Sequence, residues 1–246
     1  MNIQRENLIE ESEITSLIRR MELMPSILER KIEEEIIELV QLPESWYVNA
    51  LEDFLNRKKL TKDGLKTWLE NKGWLQEDLN LFLARPEALF RFSKQRFGPG
   101  LEENYLSSAA DLDIVIYCLI RVRDSMLANE LWMRLCEKEA NFVDIASHYG
   151  EGPEADRKGL IGPIAFGTLQ PPKVRDLLRA LAPGEFTSPH NIGGWNILMK
   201  LEKIMPSSLD NSTRDKLLKD QLTEFIKNRS IALLNKEPVE PLHYDQ

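Results

Sequence analysis

Long apolar runs are missing from this chain: no stretch approaches the roughly 20 residues that a membrane-crossing helix requires. Histidine and cysteine are scarce, with three and two among 246 residues. So few histidines, spread along the chain, exclude a credible metal cluster. The two cysteines, Cys118 and Cys136, are too few for a disulfide scaffold and fit a reducing compartment. Lysine and arginine number 32 against 40 acidic residues, for a formal net charge of −8. That balance argues against general nucleic-acid binding, which needs a basic surface to displace counterions, and the longest basic run is only Arg57-Lys58-Lys59. The glycine-containing segments match neither a phosphate-binding loop nor a dinucleotide fingerprint. Internal repeats and low-complexity runs are absent as well. The opening residues, MNIQRENLIEE, lack the basic start and apolar core of a secretory signal, so the expectation is a cytoplasmic protein.

What is there suits a folded protein. The apolar fraction is 42%, and the length allows one large domain or two small ones. From residue 13 to about 108 the periodicity is helical. Pro25 suits a first helical turn, followed at helical spacing by Ile27, Leu28, Ile32, Ile36, Leu39 and Val40, with Glu33–Glu35 on a solvated face. Trp46, Ala50, Phe54 and Leu55 mark a second helix. Thr61 caps a third that carries Leu65, Trp68 and Leu69 and stops at Gly73. A short helix holds Leu75, Leu79, Phe82 and Leu83. Pro86 then opens a longer one that breaks at Gly98-Pro99-Gly100. The aromatics Trp46, Trp68 and Trp74 fit a helical core and could also line a peptide groove.

The texture changes at Asp111. Ile114 to Val122 (IVIYCLIRV) is β-branched and nearly continuously apolar, as a central strand should be. Two amphipathic helices follow, one with Ala128, Leu131 and Leu135, the other with Phe142, Ile145 and Ala146. Residues 150–170, rich in glycine and proline, read as loops. A helical turn covers Val174 to Leu181, and Phe186 and Trp195 to Ile204 supply further strands. The expected fold class is α+β: an all-helical N-terminal domain, a small antiparallel-type sheet with flanking helices, and a C-terminal helix over 208–231. The tail from Glu237 onward reads as mobile.

The local wording between these elements carries a resemblance. Asn141 to Ala155 (NFVDIASHYGEGPEA), Lys158 to Pro163 (KGLIGP), Leu178 to Pro189 (LRALAPGEFTSP) and Gly194 to Lys203 (GWNILMKLEK) occur in the order, and with the gaps, of the sequence blocks of parvulin-type peptidyl-prolyl isomerases. Leu112 to Pro206 therefore resembles a parvulin domain. The front half looks like the helical N-terminal region of SurA-type chaperones, in which the last helix of the chain packs back onto the N-terminal helices. The implied division is 1–110 helical, 111–206 parvulin-like, and 207–246 the returning helix with a mobile tail. The whole chain is also similar to a group of cyanobacterial proteins labelled peptidylprolyl isomerases, some of them linked with peptide-export transporters.

The resemblance implies chemistry at an X–Pro bond. Rotating a peptide bond breaks amide resonance, against a barrier of about 18–20 kcal/mol, and a catalyst need only favour the twisted form. No nucleophile, metal or cofactor is required; an apolar pocket for the proline ring and a few polar groups suffice. Carried over position by position, the first-strand histidine of the family falls at Cys118 or one position away. The acid or thiol after the glycine-rich loop falls at Leu160, and the last-strand histidine at Asn196. The pocket methionine falls at Leu169 or Gln170 and the pocket phenylalanine at Val174, with Phe166 and Trp195 as further substrate-binding candidates. The paired histidines are thus replaced. Cys118 also reads as a small core residue, Asn196 as a group satisfying nearby backbone, and Trp195 as core packing. His148 on a helix and His190 in a loop read as solvent or packing residues. Beyond Arg121 and Arg123 no phosphate-reading cluster follows the first strand.

Two functions follow from the resemblance. One is a prolyl isomerase and foldase acting on unfolded or proline-containing polypeptides. The other is a non-catalytic peptide-binding chaperone or adaptor of a peptide-export system that keeps the groove and has lost the catalysis.

Overall fold

The computed structural model describes residues 11–245. The opening segment that carries the signal-sequence expectation lies outside them. In chain order the helices are α1 (Glu11–Arg20), α2 (Met24–Val40), α3 (Glu44–Lys58), α4 (Lys62–Lys72), α5 (Gln76–Phe97), α6 (Leu101–Leu112), α7 (Ser125–Cys136), α8 (Phe142–Tyr149), α9 (Pro172–Arg179) and α10 (Asn211–Leu234). The strands are β1 (Ile114–Val122), β2 (Leu160–Ala165), β3 (His190–Ile192) and β4 (Trp195–Met205). Two compact units result: Glu103–Asp210 forms one, and the chain up to Glu102 together with the chain from Asn211 forms the other. The first division falls earlier than residue 111, because most of α6 belongs with the sheet. Its Tyr105 hydroxyl donates to the Ser207 carbonyl at 2.9 Å, and the Ser207 amide donates to Asp113 Oδ1 at 2.8 Å.

The helical unit is built on α2, α5 and α10. Ile32, Ile36, Ile37, Val40, Ala84, Ala88, Phe92, Leu222 and Ile226 form one buried cluster. Each large side chain so buried contributes about 1.5–3 kcal/mol. The expected pair of helices around Pro86 is a single helix, α5, with Pro86 inside it. The missing amide costs about 3 kcal/mol. Burial of Leu79, Leu83, Ala84, Ala88 and Phe92 along one continuous stripe outweighs that cost. Thr61 Oγ1 accepts from the Gly64 amide at 3.0 Å, starting α4, and Gly73 ends it at a φ of 67°. Glu33 differs from the solvated face expected of it. Its side chain is only 14% exposed and bridges Arg30 and Arg85.

The tail expected to be mobile is seated. Leu242 and Tyr244 pack against the α2/α5/α10 cluster. Arg229 donates to the Glu240 carbonyl at 2.6 Å, and Gln95 hydrogen-bonds both the amide and the carbonyl of Asp245. Apolar residues near the terminus and backbone groups fixed by side chains overcome the tendency of chain ends to fray.

In the other unit the strands form one sheet in the order β2-β1-β4-β3, antiparallel throughout. Strand β1 is central and alternates between two cores. Cys118, Ile120 and Val122 face α7 and α8, where Ala128, Leu131, Leu135, Phe142, Ile145, Ala146 and Leu198 complete a cluster. Val115 and Tyr117 face the other side with Phe166, Leu169, Val174, Leu178, Ile197, Met199 and Leu201. Two readings change here. Residues 160–165, expected as loop, form the edge strand β2, and His190, expected in a loop, lies on β3. Phe186 makes only an isolated bridge to Lys200.

Candidate functional site

The site is a cavity of about 360 Å³ on the face of the sheet that carries α9. Alternation along each strand decides what lines it. From β1 come Tyr117, Leu119 and Arg121; from β2, Ile161; from β4, Trp195 and Ile197; from β3, Ile192; and from the segment entering α9, Gln170, Pro171 and Val174. The register agrees: Tyr117 pairs with Ile161, and Ile192 with Trp195, so each pair points to one side of the sheet. Most of the lining is apolar, with an aromatic wall at Trp195.

Glycines let the preceding loop close against β1. A Cβ on Gly159, whose φ is +77°, would lie 2.7 Å from the Leu119 carbonyl oxygen. A Cβ on Gly152 would lie 2.1 Å from Arg121 Nε and 2.2 Å from Glu154 Oε1. The glycine-rich wording is therefore needed for close approach of backbone to backbone and of backbone to an ion pair. That pair is two-pronged. Arg121 Nε donates to Glu154 Oε1 at 2.6 Å and Nη2 to Oε2 at 2.5 Å, and the Glu154 side chain is 5% exposed. The Arg121 and Arg123 guanidinium groups lie 5.7 and 4.5 Å from the Trp195 ring centroid, within cation–π range.

Three sequence-predicted residues face away from this cavity. Cys118 is buried in the α7/α8 core, and its thiol donates to Glu202 Oε1 at 3.4 Å. Burial first, then the Glu202 carboxylate, pushes the thiol up to about 11. It is held as a neutral core group. Leu160 pairs with Cys118 across the sheet and therefore shares its side. Asn196 Nδ2 donates to the Arg123 carbonyl at 2.8 Å, and its Oδ1 accepts from Asn191. In each case the cavity-facing residue lies one step along the strand, on the opposite face, and for the first strand the expectation already allowed Cys118 or one position away. The pocket-facing neighbours are Tyr117 and Leu119 for Cys118, Ile161 for Leu160, and Trp195 and Ile197 for Asn196. Of the other candidates, Gln170, Val174 and Trp195 line the cavity. Leu169 and Phe166, 4% and 1% exposed, lie in the core on the same side of the sheet.

Sequence reasoning passed over Tyr117, Arg121 and Glu154 as a group. Tyr117 is 5% exposed, and burial, with the Glu154 charge added and Arg121 opposing, holds its hydroxyl above the usual phenol range. Their period-2 spacing places Tyr117 and Arg121 on one face, which was a usable signal. Nothing local marks Glu154 as their partner. His190 pairs with Ile197 on β3, and burial and the nearby Lys173 lower its pKa. Among the described residues no group of three or more His, Cys, Asp or Glu could hold a metal ion.

No family model matches the chain, and no curated protein does. Solved structures do. The chain aligns with peptidylprolyl isomerase PrsA from Bacillus cereus over 98% of its own length and 93% of that chain, at 17% identity and a TM-score of 0.55. The fold is that of PrsA. PrsA from Bacillus anthracis aligns over 88% of this chain and all of its own (100%), at 14% identity and a TM-score of 0.49. A SurA-like chaperone from Campylobacter jejuni aligns over 98% and 100%, at 14% identity and a TM-score of 0.38. The fold assignment rests on the Bacillus cereus PrsA. In this chain the helical unit and the sheet unit each have a core of their own.

Proposed function

We propose that this protein is a parvulin-type peptidyl-prolyl cis-trans isomerase and foldase acting on unfolded or proline-containing polypeptides. The observation that carries the reading is the cavity on the α9 face of the sheet, where Leu119, Ile161, Val174, Ile192, Trp195 and Ile197 stand beside Tyr117 and Arg121. A proline ring is apolar and compact, and it has no amide hydrogen to satisfy. Apolar side chains for the ring beside a few polar groups can hold an X–Pro segment while its peptide bond turns, without covalent chemistry. The PrsA fold raises the expectation of this activity, and the cavity carries the argument from fold to function.

The second reading, a peptide-binding chaperone or adaptor without catalysis, draws on the identity of the lining: no imidazole lines the cavity among the described residues. A link to a peptide-export transporter is supported by the sequence resemblance alone. A cytoplasmic setting is supported by two cysteines that remain free thiols. The test is exchange NMR on a short Ala-Pro or Leu-Pro peptide with and without the protein. Faster cis–trans exchange supports the isomerase. Shifted peptide resonances with an unchanged exchange rate replace it with the binding-only reading.

A further inference from the structure

One polar group on the cavity wall, the Tyr117 hydroxyl, has no task assigned inside the protein. The Tyr117 ring is packed into the core beside the cavity floor, its residue only 5% exposed. Its hydroxyl makes no hydrogen bond to protein among the described residues. The other polar side chains of the lining are occupied or peripheral. Arg121 is engaged by both oxygens of Glu154, and Gln170 is exposed at the mouth. The ring is fixed in the core while the hydroxyl reaches the cavity, where it is free to donate to a ligand.

Amide chemistry says where such a donor is useful. In a planar peptide bond the nitrogen lone pair is delocalised into the carbonyl and accepts no hydrogen bond. As the bond twists, the pair returns to nitrogen, which becomes an acceptor. A donor placed there contacts the twisted form and not the planar one, which is the differential binding a catalyst needs.

Resting on the isomerase reading above, we infer that the Tyr117 hydroxyl donates a hydrogen bond to the proline nitrogen of a bound X–Pro segment as its peptide bond twists, supplying the polar contact that histidines give in parvulins. Tyr117 keeps its proton for this work. The charged groups facing it are Glu154 and Arg121; Glu154 and burial oppose ionisation, and Arg121 offsets them only in part. His190 is the competing candidate, on the same side of the sheet and with a lowered pKa.

The experiment compares the full-length protein with its Tyr117→Phe and His190→Gln variants, by exchange NMR on an Ala-Pro peptide at several pH values between 5.5 and 8.5. Tyr117→Phe removes one oxygen and leaves the ring in its core. Its exchange enhancement is expected to fall about tenfold, the scale of one lost hydrogen bond, with peptide affinity changed far less. His190→Gln is expected to match the unaltered protein, and the pH profile of the unaltered protein to be flat. Equal enhancement by Tyr117→Phe and the unaltered protein overturns the inference and leaves the isomerase reading standing. So does a profile that titrates below pH 6.5 and is flattened by His190→Gln. No enhancement by the unaltered protein removes both.

Discussion

The Arg121–Glu154 pair can be broken from either end, and the two ends should not be equivalent. Glu154 is 5% exposed and Arg121 29% exposed, with two charge-assisted hydrogen bonds of 2.6 and 2.5 Å between them. Arg121→Met leaves a carboxylate buried without its cation. Breaking a buried pair in that way costs about 3–5 kcal/mol. Glu154→Gln leaves a guanidinium that is already partly hydrated and keeps one acceptor for it, so the loss should be about 1–2 kcal/mol. Replacing both, as Arg121→Met with Glu154→Leu, should recover part of the loss of Arg121→Met alone. The assay is urea unfolding followed by far-UV circular dichroism and by NMR resonances from β1, which isolates this unit from the helical one. Equal losses for the two single variants, or a double variant less stable than Arg121→Met, would refute this account of the pair.

Three further outcomes follow from the packing around β1. Cys118 has a raised thiol pKa, about 11 against an ordinary 9.0; in that window the unfolded chain loses its thiol proton first. The stability it contributes should be fully present below about pH 9 and lost as pH rises through about 11, a slope that Cys118→Ala should remove. Thiol labelling at neutral pH should modify exposed Cys136 quickly and Cys118 only through unfolding. Gly159→Ala should lower stability by about 2–4 kcal/mol, from a left-handed backbone and a Cβ crowding Leu119. A Gly159→Ala protein as stable as the parent would mean that the loop is not held against β1.

How much of this could be read in the sequence depends on what each element required. The β1 strand was legible because Ile114 to Val122 is apolar on both sides, as a central strand covered on both faces must be. Strand β2 was not, since Leu160 to Ala165 is short, contains Gly162 and Pro163, and becomes a strand only by pairing with β1. Pro86 misled because local propensity yields to a buried stripe that runs through it. At the site, matching sequence blocks point to the unit that holds the cavity but cannot fix strand phase to a single residue. Cys118, Leu160 and Asn196 all fell one step onto the α7/α8 side. Residues outside the strand alternation suffered less, and Gln170 and Val174 lie at the cavity. Glu154 was illegible because its partner is 33 positions away and the pairing exists only in three dimensions.

The central claim is that a proline-containing segment enters the cavity on the α9 face. Methyl-labelled NMR of the full-length protein, titrated with an Ala-Pro peptide, reads that face directly. Ile161, Ile192 and Ile197 line the cavity, while Ile120 and Ile145 lie in the core on the opposite side of the sheet. The account predicts that the first three methyl signals shift together with peptide concentration while the other two hold still. Shifts confined to Ile120 and Ile145, or shifts in none of the five at saturating peptide, would contradict it.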